Sequence, residues 1–218
     1  MSEEADTKDE MNRMYRWTRH VYDASRKYFL LGRDQLINTL RLKDGEHVCE
    51  VGCGTARNLI KMARRYPKTH FYGLDASDEM LKTARGSLKF SGLSERVHVK
   101  QSFAQNFDPQ ELFNLSAPLD KILFSYALSI IPPWQDSIDH AVQLLATGGE
   151  IHIVDFGDMK DQPAWFKKII FWWISLFHVY HKPEILEHLQ DLVRNGQGTL
   201  NITHLYNGYA YLAVFKKT

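Results

Sequence analysis

The residues of this 218-residue chain best suited to chemistry form one stretch, Glu50-Val51-Gly52-Cys53-Gly54-Thr55-Ala56-Arg57-Asn58, with Asp75 some way downstream. Val48 and Val51 mark a short apolar run at its start, and Leu59, Ile60, Met62 and Ala63 follow at helical spacing. Two glycines between a strand and a helix permit a tight turn with nothing standing off the backbone. The N–H groups of the helix start then face whatever occupies the turn. An acid at a buried strand end, a glycine loop and a helix N-terminus together describe a nucleoside-cofactor site.

The neighbours of the loop narrow the choice of cofactor. A nicotinamide fingerprint needs a third glycine, and Arg57 stands at that position. Glu50 precedes the first glycine by two residues, and Asp75 closes the next apolar run. A carboxylate at the second strand end suits the two hydroxyls of a ribose. Glu50 either accepts from the loop amides or faces a cation. A sulfonium carrying an amino-acid tail fits that acid better than a pyrophosphate does.

The elements that must hold these residues alternate. The spacing predicts strands over 48–51, 70–74, 97–101, 120–126 and 150–155, with helices over 58–66, from Ser77 to Leu88, and over 134–145. Ser77 is the expected N-cap of its helix, with Asp78 and Glu79 in the first turn. Gly148-Gly149 turn into the fifth strand. Two β runs, 200–206 and 209–216, flank Asn207-Gly208, a strong hairpin signal. The pattern predicts an α/β fold: a doubly wound, mostly parallel sheet of seven strands with an antiparallel C-terminal hairpin. Residues 11–44 read as a helical lid interrupted at Gly32, which leaves Arg33 and Asp34 at a turn. Residues 159–185 read as an aromatic helical insertion, and the acidic residues 1–10 as a disordered tail. Residues 11–218 form one domain.

Composition is that of an ordinary globular protein, 44% hydrophobic and 24% charged with a net charge of +1. No strongly basic face for nucleic acid is expected from that balance. A disulfide between Cys49 and Cys53 would distort the glycine turn, and no Cys/His cluster has metal-ligand spacing. Reduced thiols, a cytoplasmic setting and no metal are expected.

Glu50-x-Gly52-x-Gly54, Asp75 and the closing run 209–217 resemble the class I S-adenosylmethionine-dependent methyltransferases. The resemblance implies that the glycine loop approaches the cofactor's amino-acid end and that Asp75 binds the ribose. It also implies a wider cofactor set of Tyr28, Arg33, Thr55, Ala76, Met80, Ser102, Phe103 and Ser125, with S-adenosylhomocysteine as product. Ala56 replaces the family's usual third loop glycine, and Ser102-Phe103 stand where an adenine-side Asp is often found. Three further blocks resemble the N-methyltransferases of betaine-lipid synthesis, which convert diacylglyceryl-homoserine into its trimethylated form. They are Arg26-Lys27-Tyr28-Phe29-Leu30-Leu31-Gly32-Arg33-Asp34, Leu123-Phe124-Ser125-Tyr126-Ala127-Leu128-Ser129-Ile130-Ile131-Pro132 and Val154-Asp155-Phe156-Gly157-Asp158.

That acceptor chemistry assigns expected roles. In-line methyl transfer to an amine rests on positioning and on a neutral nucleophile. A head group growing towards a quaternary ammonium suits aromatic faces. Tyr22, Tyr126 and Asp155 are the catalytic candidates, with Asp155 or Asp158 placed to contact the amine. Arg26, Phe156, Asp158, Trp173 and His178 are the substrate-binding candidates, and Arg26 or Arg33 can meet the homoserine carboxylate. The apolar run 169–179 is shorter than the ~20 residues that span a bilayer. Its tryptophans, with Lys167, Lys168 and Lys182 beside them, suit an interfacial helix that takes a peripheral enzyme to lipid substrate at a membrane surface. A helix buried under the lid, or a dimer interface, are the other readings of this run. The resemblance leaves open whether the aminocarboxypropyl transferase of the same pathway is a physical partner. A phosphatidylethanolamine N-methyltransferase, a quinone C-methyltransferase and an inactive membrane-associated subunit are the alternative functions.

Overall fold

The computed structural model describes residues 29–175 and 181–218, with only the backbone described at 173–175. The acidic tail and most of the expected lid therefore lie outside the described residues. Within them the order is α1 (Arg33–Thr39), β1 (His47–Val51), α2 (Arg57–Arg65), β2 (His70–Asp75), α3 (Asp78–Phe90) and β3 (Val97–Gln101). There follow α4 (Pro109–Phe113), β4 (Leu119–Ser125), α5 (Trp134–Leu144), β5 (Leu145–Phe156) and α6 (Ala164–Ser175). The chain closes with α7 (Glu184–Arg194), β6 (Gly198–Leu205) and β7 (Ala210–Lys217).

The seven strands form one sheet in the order β3-β2-β1-β4-β5-β7-β6. The β1, β2, β3, β4 and β5 contacts are parallel, and β7 runs antiparallel to both β5 and β6. Strand order reverses between β1 and β4, which puts the crevice for a ligand at their C-terminal ends.

Alternation along each strand assigns residues to faces. Val48, Phe71, Leu123, Val154 and Phe156 pack with Leu36 of α1, Leu59 and Met62 of α2, and Leu81 and Leu88 of α3. Cys49, Val51, Leu74, Phe124, Ile151 and Ile153 pack on the other face with Ile138 of α5 and with Ile185 and Leu189 of α7. By the same parity Glu50, Asp75 and Ser125 belong to the α1–α3 face, and Asp155 to the α5/α7 face.

Four elements depart from the sequence reading, one of them the short α4, which it does not contain. Arg33 and Asp34 open α1 rather than a turn, because Leu36 and Ile37 bury the face they begin. Strand β5 starts five residues earlier than expected, at Leu145, which pairs with Leu119 before the register shifts and Lys121 meets Glu150. Gly149 lies inside that irregularity, where a Cβ would stand 2.9 Å from the Ala146 carbonyl oxygen and 3.0 Å from that of Asp120. Helix α7 is absent from the sequence reading, although Ile185, Leu189 and Leu192 recur at helical spacing. The hairpin is as expected, with Asn207 and Gly208 at positive φ of 54° and 78°.

Candidate active site

At the C-terminal end of β1 the chain turns through Gly52 and Cys53, whose amides donate to the Leu74 carbonyl at 2.8 and 3.0 Å. Gly52 has a φ of 71°, and a Cβ there would stand 2.8 Å from the Ala127 Cβ. The loop after β4 thus lies directly against the glycine turn. Gly54 donates its N–H to Asp75 Oδ2 at 2.8 Å, and Ser77 donates to Asp75 Oδ1 at 2.9 Å. Asp75 therefore sets the shape of the turn across the gap between β1 and β2. Thr55 is half-buried in the same turn, and Ala56, buried at φ 63°, takes the left-handed conformation that the replaced glycine would favour.

Glu50 is buried, and its Oε1 accepts from Asn58 Nδ2 at 2.7 Å. Arg57 donates to Asn58 Oδ1 at 3.1 Å and to Asp34 at 2.9 Å, and Lys61 also reaches Asp34 at 2.9 Å. This chain of side chains ties α1 and α2 to the acid on β1. Asn58 was not a sequence candidate. Its position in the first turn of the helix after the glycine loop was the available signal. Burial pushes the Cys53 thiol well up, and the nearby Asp75 and Glu50 charges push it further. Two acids thus converge behind the turn and leave it negative, a setting suited to a sulfonium and an α-ammonium.

Ser77 caps α3 by accepting from the Met80 N–H at 3.4 Å, and Met80 is buried beneath the turn. Gln101 donates to the Ala76 carbonyl at 3.2 Å, and Ser102 donates to the Asp75 carbonyl at 3.3 Å. Ser102 and Phe103 are half-buried where β3 ends. Ser125, on the Glu50 face at the end of β4, has a buried Oγ with no partner among the described residues. The open donor, the negative glycine turn and the Asp75 edge fit S-adenosylmethionine.

Beyond the turn lies an aromatic group. Tyr126 follows β4 at a φ of 56°, and its ring meets that of Phe156 at 4.7 Å in an edge-on contact. Phe156 meets Tyr209 at 6.0 Å, and Tyr209 meets Phe166 of α6 at 6.4 Å. The Tyr126 phenol donates to the Leu31 carbonyl, and the Tyr209 phenol to that of Phe29 at 2.9 Å. Burial and the Asp155 charge hold the Tyr126 phenol well above its ordinary pKa, so it stays a proton donor. Arg33 is buried with Nε donating to the Leu30 carbonyl at 3.0 Å, and its charge acts on that phenol. Tyr209, part of this group, is in the sequence only the first residue of the closing β run.

The structure brings Glu50, Gly52, Gly54, Thr55, Asp75, Ala76, Met80, Ser102, Phe103 and Ser125 to one edge, with Arg33, Tyr126 and Phe156 beside them. Asp155 is not among them. It is buried on the opposite face, where its oxygens accept from the backbone of Ser129 and Phe156 at 3.1 and 2.8 Å. Asp158 is exposed and accepts from the Lys160 N–H at 3.0 Å. Tyr22, Arg26, Tyr28, His178 and the Trp173 side chain lie outside the described residues.

This fold and edge define a class I S-adenosylmethionine-dependent methyltransferase. The chain belongs to the methyltransferase domain family, whose model matches residues 42–198. It is 23% identical over 188 residues to a demethylmenaquinone methyltransferase of Listeria monocytogenes, covering 83% of this chain and 76% of the relative. It is 30% identical over 112 residues to a phosphatidylethanolamine N-methyltransferase of Cereibacter sphaeroides, covering 51% of each. Among solved structures, a SAM-dependent methyltransferase from Aquifex aeolicus superposes with a TM-score of 0.65 at 17% identity, over 92% of this chain and 96% of that one. An O-methyltransferase family 2 protein from Planctomyces limnophilus gives 0.63 at 19% identity, and this chain, 85% covered, spans 57% of its length.

Proposed function

We propose that this methyltransferase acts on the amino group of a lipid head group, and that diacylglyceryl-homoserine, methylated in three rounds, is its substrate. The observation that carries this reading is the outer face of α6. Trp165, Ile169 and Trp172, at i, i+4 and i+7, are 65%, 53% and 62% exposed. On the inner face Ile170 is buried, and Phe166 contacts Tyr209 of the aromatic group beside the cofactor edge. An apolar stripe in water next to an active site suits a substrate drawn from a lipid surface. Lys168 is exposed between these residues, and an ammonium there suits anionic head groups. No helix among the described residues is long and apolar enough to cross a membrane.

S-adenosylmethionine, when bound, supplies an electrophilic methyl on a sulfonium. Glu50, Gly52, Gly54 and Asp75 would hold its amino-acid and ribose parts, and Ser125 would offer its unpartnered hydroxyl on the same face. An α-amino group has a pKa near ~8, so part of the acceptor is neutral at cytosolic pH without a strong base. The faces of Tyr126 and Phe156 favour the cationic product of each round, and Arg33 is the candidate for the acceptor carboxylate. The phosphatidylethanolamine N-methyltransferase relative supports an amine on a lipid. The demethylmenaquinone relative, aligned over more of the chain, supports a second reading in which a quinone ring is methylated at carbon.

The deciding experiment is incubation with labelled S-adenosylmethionine and either diacylglyceryl-homoserine or a demethylated quinone, followed by mass analysis. The expected result is one, two and three added methyls on the homoserine lipid. Label appearing only in the quinone, or in neither, rejects the proposal. Accumulation of the monomethyl product alone rejects the three rounds.

A further inference from the structure

The loop after β4, residues 126–132, is gripped from two directions. From β5, Asp155 accepts the Ser129 N–H through Oδ2 at 3.1 Å and the Phe156 N–H through Oδ1 at 2.8 Å. From the segment before α7, Lys182 Nζ donates to the carbonyls of Leu128 at 3.1 Å and Ile131 at 3.2 Å. Beside it His181 Nδ1 lies 3.0 Å from the Phe156 carbonyl oxygen. Ala127, in the middle of this loop, is the residue that would meet a Cβ on Gly52. A shift of the loop therefore moves the wall of the glycine turn.

The chemistry of the grip depends on charge. With both oxygens of Asp155 accepting from N–H groups, protonation turns one of them into a donor aimed at a donor. It also removes the counter-charge of Lys182, which lies near enough to pull the Asp155 pKa down. Burying the Asp155 carboxylate carries a desolvation cost that an apolar residue there would not, so it is a poor choice for stability alone. We propose that Asp155 and Lys182 are positioning residues that fix the 126–132 loop against the glycine turn, so that the S-adenosylmethionine site is fully formed only while Asp155 is ionised. The other groups facing Asp155 are the Tyr126 and Tyr211 phenols, both pushed well up and hence neutral, while Glu184 faces Lys182. Burial raises the Asp155 pKa to about 6, which brings its titration into a measurable range.

This inference rests on the cofactor site and is independent of which acceptor is methylated. The test is calorimetric titration of the full chain with S-adenosylmethionine between pH 5.5 and 8, with hydrogen exchange of the 126–132 peptide alongside, for wild type, Lys182→Met, Lys182→Arg and Asp155→Asn. Loss of one charge-assisted contact should weaken wild-type binding about tenfold as pH falls through the Asp155 titration. Without the neighbouring cation, Lys182→Met should move that midpoint up and speed exchange of the loop. Lys182→Arg should restore both. Asp155→Asn, if it folds, should bind weakly without the pH step. An unchanged midpoint in Lys182→Met overturns the proposal, whether affinity is retained or falls equally at every pH.

Discussion

At the residue scale, two positions in one loop show how conformation and contact decide tolerance. Gly52 combines a φ of 71° with an Ala127 Cβ at 2.8 Å from any added methyl. For Gly52→Ala the left-handed backbone costs about 1 kcal/mol, and forced overpacking about 1–3 kcal/mol more. The variant should unfold at lower temperature and bind S-adenosylmethionine at least ~10-fold more weakly, read by thermal unfolding and calorimetry. Wild-type affinity in that variant would show that the turn and the 126–132 loop are not in contact. Ala56 has a similar φ, 63°, but it is a buried alanine already. Ala56→Gly recovers about 1 kcal/mol of backbone strain and gives up about 0.8 kcal/mol of methyl burial. Urea unfolding should therefore find it within ~0.5 kcal/mol of wild type. A loss above about 2 kcal/mol would mean that the methyl fills a tighter site than its area suggests.

At the element scale, α6 separates what folds the protein from what the protein is proposed to touch. Trp165, Ile169 and Trp172 point outward while Ile170 is 6% exposed. Changing the three outer residues to Ser should move stability by less than ~0.5 kcal/mol per site. It should leave S-adenosylmethionine binding intact and abolish co-sedimentation with anionic vesicles. Ile170→Ala should instead cost about 2–5 kcal/mol. Co-sedimentation that survives the triple change in a folded protein would remove the lipid-surface role from this helix. The same helix marks how far sequence reading reaches. Its existence was legible from apolar spacing, as β1–β4 were from short apolar runs and α3 was from the Ser77 cap. Which of its faces meets the core was not, because nearly every position is apolar. Helix α7 is legible in principle, from the helical spacing of Ile185, Leu189 and Leu192. The early start of β5 was not, because Gly148 and Gly149 read as a turn and only the register shift against β4 makes them an irregularity. The placement of Glu50 and Asp75 at the ends of β1 and β2 is legible because one strand end and one glycine loop fix them. Asp155 departs from the expected site because strand parity puts it with Ile151 and Ile153, on the face away from Glu50 and Ser125.

At the scale of the whole molecule, two acids on β5 pull the pH dependence of stability in opposite directions. Glu150 is held at about 2 by its hydrogen bond from His152 and by Lys121, against an ordinary value of 4.5. A depressed acid stabilises the fold above its unfolded pKa, and that contribution is lost as pH falls from about 4.5 towards 2. Asp155 is raised by burial from 3.8 to about 6. The folded state then holds the proton more tightly than the unfolded chain, so this group favours folding most at low pH, and its contribution declines as pH rises from about 4 to 6. Between pH 5 and pH 7 the loss from Asp155 alone is about 1 kcal/mol. From pH 5 to pH 7 the protein without cofactor should lose about 1 kcal/mol more stability in urea unfolding than Asp155→Asn does; His47, held below its ordinary value by burial, acts in the opposite sense in both proteins and cancels in that comparison. S-adenosylmethionine binding should run the other way, weakening towards pH 5 as the grip on the 126–132 loop relaxes. Thermal unfolding with and without saturating cofactor at both pH values joins the two measurements. The stabilisation that the cofactor adds should be larger at pH 7, where Asp155 is ionised. Equal added stabilisation at both pH values would uncouple the buried acid from the cofactor site and leave Asp155 as a burden on stability with no compensating role.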